Sequence, residues 1–312
     1  MKGSAYRAFW TGVGERFPDL AGAASTDYYA AAEQRLFREH LPPLPGLRIL
    51  KTDLWDEAKN TRILAWAAGR GAIAFGVDIS QPTIDRACTA FTNGSGSLRA
   101  AAADVRNLPF CDASFDAVYS MGTIEHFDET EQAVKEIARV LRPGGRAIVG
   151  VPNRHDPFLR PLLATVLQAL GLYAYGYEKS YSRRSLRDLL ERAGLTVGAE
   201  TSILFMPGWL RMLDLACYSW CRPLSAVTGA LVRPFIWLDR NVGLLRKSGY
   251  LLASVAIKPE CECAIDGKHH QRVNRRGRRG ETLGAASRPD SSSGRELPPA
   301  FVGRLIRASF FG

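Results

Sequence analysis

Between Leu47 and Pro152, five short apolar runs alternate with stretches of helical period. The runs are Leu47–Leu50, Gly71–Ser80, the segment from Leu98 to Asp104, Ser114–Ser120 and Arg146–Pro152. Strands that each lead into a helix pair in parallel, because a right-handed crossover brings the chain back to the same edge of the sheet. The expectation is an α/β, doubly wound, mostly parallel sheet. Its central strand is Gly71-Ala-Ile-Ala-Phe-Gly-Val-Asp-Ile-Ser80, apolar and ending abruptly at Asp78. In such sheets ligands bind beyond the carboxyl ends of the strands, where an acid accepts hydrogen bonds from a ribose diol. Gly76 removes a Cβ and lets the backbone pass close to a ligand or a helix. The competing reading makes Asp78 and Ser80 caps of the following helix.

The turn after Leu47–Leu50 departs from a nucleotide-binding pattern. No glycine occurs between Gly46 and Gly69, so the backbone cannot approach a ligand there as a glycine-rich turn does. Polar side chains stand in that place: Lys51, Thr52, Asp53 and Glu57. They are expected to line one end of the crevice, or else to begin a capped helix over Ala58–Ala68. The third run leads to Asp104 and Leu108-Pro109-Phe110. The fourth carries Asp116 and ends at Ser120-Met121-Gly122, followed by His126. Glu129–Leu141 has an amphipathic helical pattern, and Arg142-Pro-Gly-Gly145 stops it before the fifth run.

Five features, in this order and spacing, resemble the class I S-adenosylmethionine-dependent methyltransferases: Gly76-Val-Asp-Ile-Ser80, Asp104 with Leu108-Pro-Phe110, Phe115-Asp116, Leu141-Arg-Pro-Gly-Gly145, and the strand after it. The resemblance covers about residues 45–258. It implies a Rossmann-like sheet of seven strands whose last strand, Tyr250–Lys258, is antiparallel beside Leu195–Leu204. It also implies S-adenosyl-L-methionine as cofactor. Asp78 would take the ribose hydroxyls and Ile79 would pack on the adenine. Asp104 would accept from the adenine amino group, with Val105 beside it, and Ser120–Gly122, with Met121, would flank the methionyl part. The family's glycine-rich first motif is replaced here by Lys51-Thr-Asp-Leu-Trp-Asp-Glu57. Asp53 or Glu57 would then pair with the methionyl ammonium, and Lys51 with its carboxylate. Asp116 reads instead as turn chemistry.

Methyl transfer is a displacement at a sulfonium carbon, so alignment supplies most of the rate and an acidic acceptor needs a base. His126 is the candidate, its ordinary pKa being suited to proton transfer near neutrality. Three alternatives remain at this stage. One is a non-catalytic methyltransferase-fold scaffold, suggested by the missing glycines. Another is a nucleic-acid methyltransferase, for which no Asn/Asp-Pro-Pro-aromatic tetrad appears. The third is a nicotinamide enzyme, which lacks its G-x-G-x-x-G.

The remainder divides the chain into an N-terminal helical extension (1–45), the methyltransferase-like domain (46–259) and a tail (260–312). In the extension, Ser25-Thr-Asp27 would cap a helix over Tyr28–Phe37. The tail holds six of the ten net positive charges from Asp266 onward and has no sustained period, so it reads as disordered. The six cysteines fit reduced thiols. Cys261-x-Cys263 with His269-His270 matches no structural zinc spacing. No apolar run follows Met1, which with the thiols suggests a cytoplasmic protein.

The insertion from 205 to 249 is rich in Trp, Leu and Pro. Its longest uncharged runs are ten residues, short of the about 20 that a membrane span requires. It reads either as packing on the sheet edge or as a lid over a lipid-like acceptor. In the second case it would touch the inner face of a membrane, with Arg211, Arg222 and Arg233 toward anionic headgroups.

Overall fold

The computed structural model describes residues 3–92, 96–170 and 176–260. The elements in chain order are α1 (Gly3–Arg16), α2 (Ala24–His40), β1 (Arg48–Lys51), α3 (Trp55–Lys59), α4 (Ile63–Ala68), β2 (Ile73–Asp78), α5 (Gln81–Thr92), β3 (Arg99–Ala102), β4 (Phe115–Met121), α6 (Thr130–Val140) and β5 (Leu141–Pro152). Then come α7 (Arg160–Ala169), α8 (Arg183–Arg192), β6 (Thr196–Ile203), α9 (Gly208–Trp220), α10 (Arg222–Asn241) and β7 (Leu251–Ile257).

The seven strands form one sheet in the order β3-β2-β1-β4-β5-β7-β6. The first five are parallel, and β7 runs antiparallel between β5 and β6. The order reverses between β1 and β4, so a cleft opens there at the carboxyl ends of the strands. Alternate residues feed two apolar layers, as a pleated strand requires. Ile49, Ala117, Tyr119 and Ile148 pack on α2 and α4. Leu50, Val118, Val149 and Val151 pack on α6 and α8.

Three local expectations are corrected. The helix expected over Ala58–Ala68 is two helices, because Arg62 adopts a left-handed conformation (φ 54°) between them. Glu57 then caps the second one, accepting from the Leu64 and Ala65 backbone N–H at 2.8 and 3.2 Å. Ser25-Thr-Asp27 does not cap α2, which already begins at Ala24. Ser25 and Thr26 instead tie the helix to its neighbours, through Asp214 and Asn60. Arg211 is buried rather than turned to solvent.

Gly76 faces the first turn, where an added Cβ would come within 2.4 Å of Leu54 Cδ2. The close approach that glycine permits on β2 is therefore used by the leucine of the glycine-free turn. The 205–249 insertion forms α9 and α10, which pack on α2 through Leu210 and Val232 and on Leu20 and Ala23 before it through Leu215, while leaving Trp209, Trp220, Leu224 and Trp237 exposed. Among the described residues no helix is long and apolar enough to cross a membrane. Cys88, Cys111, Cys217 and Cys221 are free thiols. The Cys261/Cys263 and His269/His270 pattern and the basic tail from 261 lie outside the described residues, as does most of Tyr173–Tyr177.

Candidate active site

A cavity of roughly 200 Å³ occupies the cleft at the strand ends. Of the residues singled out from sequence, Asp53, Asp78, Ile79, Asp104, Val105, Met121 and His126 line it; Lys51, Glu57 and Ser120 do not.

Lys51 ends β1 and is wholly buried, so it cannot reach a ligand's carboxylate. Its ammonium donates to the Asp53 carbonyl and to Asp53 Oδ1, both at 3.1 Å, and lies 3.6 Å from Asp56 Oδ2. Burial works against its charge, but Asp53, Asp56, Glu57 and Glu33 more than offset this and hold its pKa above the ordinary lysine range. It is the internal counter-ion of a buried acidic cluster. Glu57 spends both oxygens on α4, so its expected bond to a ligand ammonium is also corrected. Burial raises its carboxyl to about 7. Ser120 is buried behind the wall. Asp53 remains at the surface of the cavity, held by Lys51 and by the Thr123 hydroxyl at 3.0 Å.

Asp78 accepts from the Leu54 and Ser80 backbone N–H at 2.9 and 2.8 Å, one on each oxygen. Each oxygen keeps a lone pair for a further donor. Burial raises this carboxyl to about 6, against the two amides that favour its charge. Asp104 lies just past β3 and holds the Arg106 guanidinium through both oxygens at 2.6–3.1 Å. Burial raises its pKa, but the Arg106 bonds more than offset this and hold it below the usual carboxylate range. Asp116 sits at the opposite end of β4, bonded to the Arg48 N–H and to Arg142.

His126 stands in a single turn after β4, its ring centroid 4.7 Å from that of Trp10 in α1. Nδ1 lies 2.8 Å from the Tyr177 carbonyl oxygen. A carbonyl only accepts, so the bond assigns the proton to Nδ1 and leaves the Nε2 lone pair free to act as a base. Burial lowers its pKa, which favours the neutral imidazole. An NMR titration is expected to place the His126 midpoint below the ordinary histidine value of about 6.5. A midpoint at or above that value, or a proton found on Nε2, would remove it as a base.

The remaining wall residues come from remote segments that local pattern did not mark. Tyr6 and Trp10 of α1 cover the cavity. Glu125 is buried, with Oε1 4.0 Å from His126 Nε2, and burial together with Glu178 raises its carboxyl well above the ordinary range. Its place beside His126 was the only sequence signal. Arg160 and Glu178 form a two-bond pair at 2.6 and 2.9 Å, with Arg160 stacked on Tyr250. Arg211 donates to the Ser25 carbonyl at 3.0 Å and lies over the Tyr29 ring. Carboxylates outnumber cations around the cavity, which suits a cationic ligand and repels phosphate.

Residues 58–149 match the family described as "Methyltransferase domain". Among curated proteins, the chain is similar to the O-methyltransferase rstn1 of Aspergillus nomiae, 31% identical over 139 residues, 41% of this chain and 60% of that one. It is also similar to the O-methyltransferase resE of Aspergillus sclerotiorum, 36% identical over 131 residues, 40% of this chain and 48% of that one. The chain thus spans about half the length of the curated relatives it matches. Among solved structures, an S-adenosylmethionine-dependent methyltransferase from Mesorhizobium loti aligns with TM-score 0.50 and 18% identity over 76% of this chain and 99% of that one. The [4+2]-cyclase SpnF aligns with TM-score 0.50 and 18% identity over 74% and 81%. The sheet order, the acids at the ends of β2 and β3 and the match over residues 58–149 agree with one another: the chain has the fold of the class I S-adenosylmethionine-dependent methyltransferases.

Proposed function

We propose that the chain binds S-adenosylmethionine in this cavity and transfers its methyl group to a small, apolar acceptor, at oxygen or another atom that gives up a proton. The observation that carries this is the convergence of Asp53, Asp78 and Asp104 from three neighbouring strand ends on one crevice. The residues fit the cofactor. Asp78 keeps a lone pair on each oxygen for the ribose hydroxyls, Ile79 and Val105 offer apolar surface to the adenine, and Asp53 and Asp56 face the ammonium. Asp104 already accepts the backbone, Nε and Nη2 N–H groups of Arg106, which leaves it one acceptor position for the adenine amino group. When bound, the cofactor supplies an electrophilic methyl group on a sulfonium. His126 Nε2 takes the acceptor's proton, while Trp10 and the Tyr177 carbonyl hold the ring in place. The Glu125 carboxyl, raised by burial and by Glu178, stands 4.0 Å from Nε2.

The O-methyltransferases among the relatives support a small-molecule acceptor. The acidic walls argue against a nucleic acid. Calorimetry with S-adenosylhomocysteine tests the reading: binding at micromolar concentrations is expected. No heat at millimolar ligand would leave the domain as a scaffold. Binding without methyl transfer to any acceptor would point to another chemistry on the same fold, as the name of the cyclase neighbour illustrates.

A further inference from the structure

Helix α7 is anchored by two buried residues, Arg160 and Ala164. Its outer side is uncharged and mostly apolar: Leu159, Leu162 and Leu170 are 65%, 60% and 64% exposed, with Val166 beside them and Thr165 and Gln168 as its polar side chains. From Pro157 to Leu170 the only charged side chain is the buried Arg160. A water-facing helix ordinarily carries charge on its outer side, and a contiguous apolar face of this kind marks an interaction surface.

The insertion extends this surface. Phe158, just before α7, packs on Phe205 and on Phe235 of α10, and Gly208 of α9 lies against the Arg160 side chain. On α9 and α10, Trp209, Trp220, Leu231 and Trp237 are exposed, Trp220 at 86%. Charge on the insertion is sorted by depth. Its two acids, Asp214 and Asp239, are buried on Thr228 and Arg35, whereas Arg222, Arg233, Arg240 and Lys247 are exposed. The outside of residues 205–249 is therefore basic and apolar with no exposed carboxylate. Met212 is half exposed and also lines the cavity, so this face borders the cavity mouth.

We propose that α7, α9 and α10 form a face that lies in the interface of a membrane bearing anionic lipids, with the cavity mouth opening at the lipid surface. Leucine, valine and tryptophan enter the acyl boundary, and the exposed arginines meet the headgroups. Exposed cations without exposed anions fit an anionic surface and not a neutral partner. The surface itself is independent of the methyltransferase reading. Only its corollary, an acceptor that partitions into the bilayer, rests on that reading.

The six tryptophans all lie before residue 238, so the basic tail contributes no fluorescence and insertion of this face is read separately from tethering by the tail. The full chain is mixed with vesicles of equal parts phosphatidylcholine and phosphatidylglycerol whose acyl chains carry bromine. Vesicle binding with quenching of tryptophan emission is expected, with no cofactor present. Leu162→Gln, Val166→Gln and Leu170→Gln together should cut vesicle affinity at least tenfold and abolish quenching, with the melting temperature unchanged. Arg222→Gln, Arg233→Gln and Arg240→Gln together should lower binding to these vesicles but not to pure phosphatidylcholine. Binding without quenching, which the tail alone would produce, overturns the proposal. So does the apolar triple variant behaving as wild type, or no binding at all. A chain that inserts but binds no S-adenosylhomocysteine keeps the surface and loses only the function proposed above.

Discussion

Lys51→Met is expected to destabilise the protein by about 3–5 kcal/mol, the usual cost of removing one partner from a buried charge network. Nothing else in the cluster is positive: the ammonium stands among Asp53, Asp56, Glu57 and Glu33, all close to it and largely buried. The loss should depend on pH, with a definite sign. The carboxyls of Asp53, Glu57 and Glu33 titrate above their unfolded values because burial disfavours their charge. Groups raised in this way favour the folded state below their unfolded pKa, and that advantage is lost as pH rises through the folded pKa, about 7 for Glu57. Removing Lys51 raises them further. Urea denaturation should therefore show the largest deficit at pH 8 and a smaller one at pH 5, where protonation stands in for the missing cation. An equal, small deficit at both would mean that Lys51 is not the counter-charge of the cluster.

Asp78→Ala should weaken S-adenosylhomocysteine binding ten- to a hundred-fold, since a carboxylate on a ribose diol makes charge-assisted bonds of about 1.5–3 kcal/mol. The carboxyl is raised to about 6, and only its ionised form accepts from both hydroxyls, so wild-type affinity should rise between pH 5 and pH 8 and then level off. Fold stability runs the other way. A carboxyl raised from its unfolded value contributes stability that is lost as pH rises through about 6. The charge that serves the ligand is thus held against the preference of the empty protein, and ligand should stabilise the wild type more at pH 8 than at pH 5. Calorimetric titrations at the two pH values check this. Equal affinities for wild type and Asp78→Ala would remove Asp78 from the ribose site.

The sheet was legible because its central parallel strands, buried on both faces, read as continuous apolar runs, and their terminal acids mark the edge where the cleft opens. Asp53, Asp78, Ile79, Asp104, Val105, Met121 and His126 all reached the cavity wall for that reason: each sits at or just past a strand end. Lys51 and Glu57 did not. Sequence gives their type and position, but not that the chain reverses at Arg62 and spends the Glu57 oxygens on two orphan amides of the next helix. Nor does it show that Lys51 turns inward to the acids around it. Arg160, Glu178 and Arg211 were illegible for a different cause. They come from segments a hundred or more residues from the first turn, and only tertiary contacts, Arg160 on Glu178 and Tyr250 and Arg211 on Tyr29, bring them to the same wall.

Helix α2 sets where this protein can be divided. The family match begins at residue 58, yet Glu33 in α2 accepts the buried Tyr119 hydroxyl of β4 at 2.7 Å, and Thr26 bonds Asn60 beside the first turn. The same helix reaches the late insertion, where Ser25 meets both Asp214 and Arg211, Tyr28 takes the Phe205 N–H, and Arg35 pairs with Asp239. A chain begun at residue 46 would strand polar groups at both ends of the molecule at once, each costing about 1–3 kcal/mol when left unsatisfied in the interior. Extension and insertion are consequently bound to one another's inheritance: a recombination that exchanges either without the other breaks bonds that the sheet between them cannot replace.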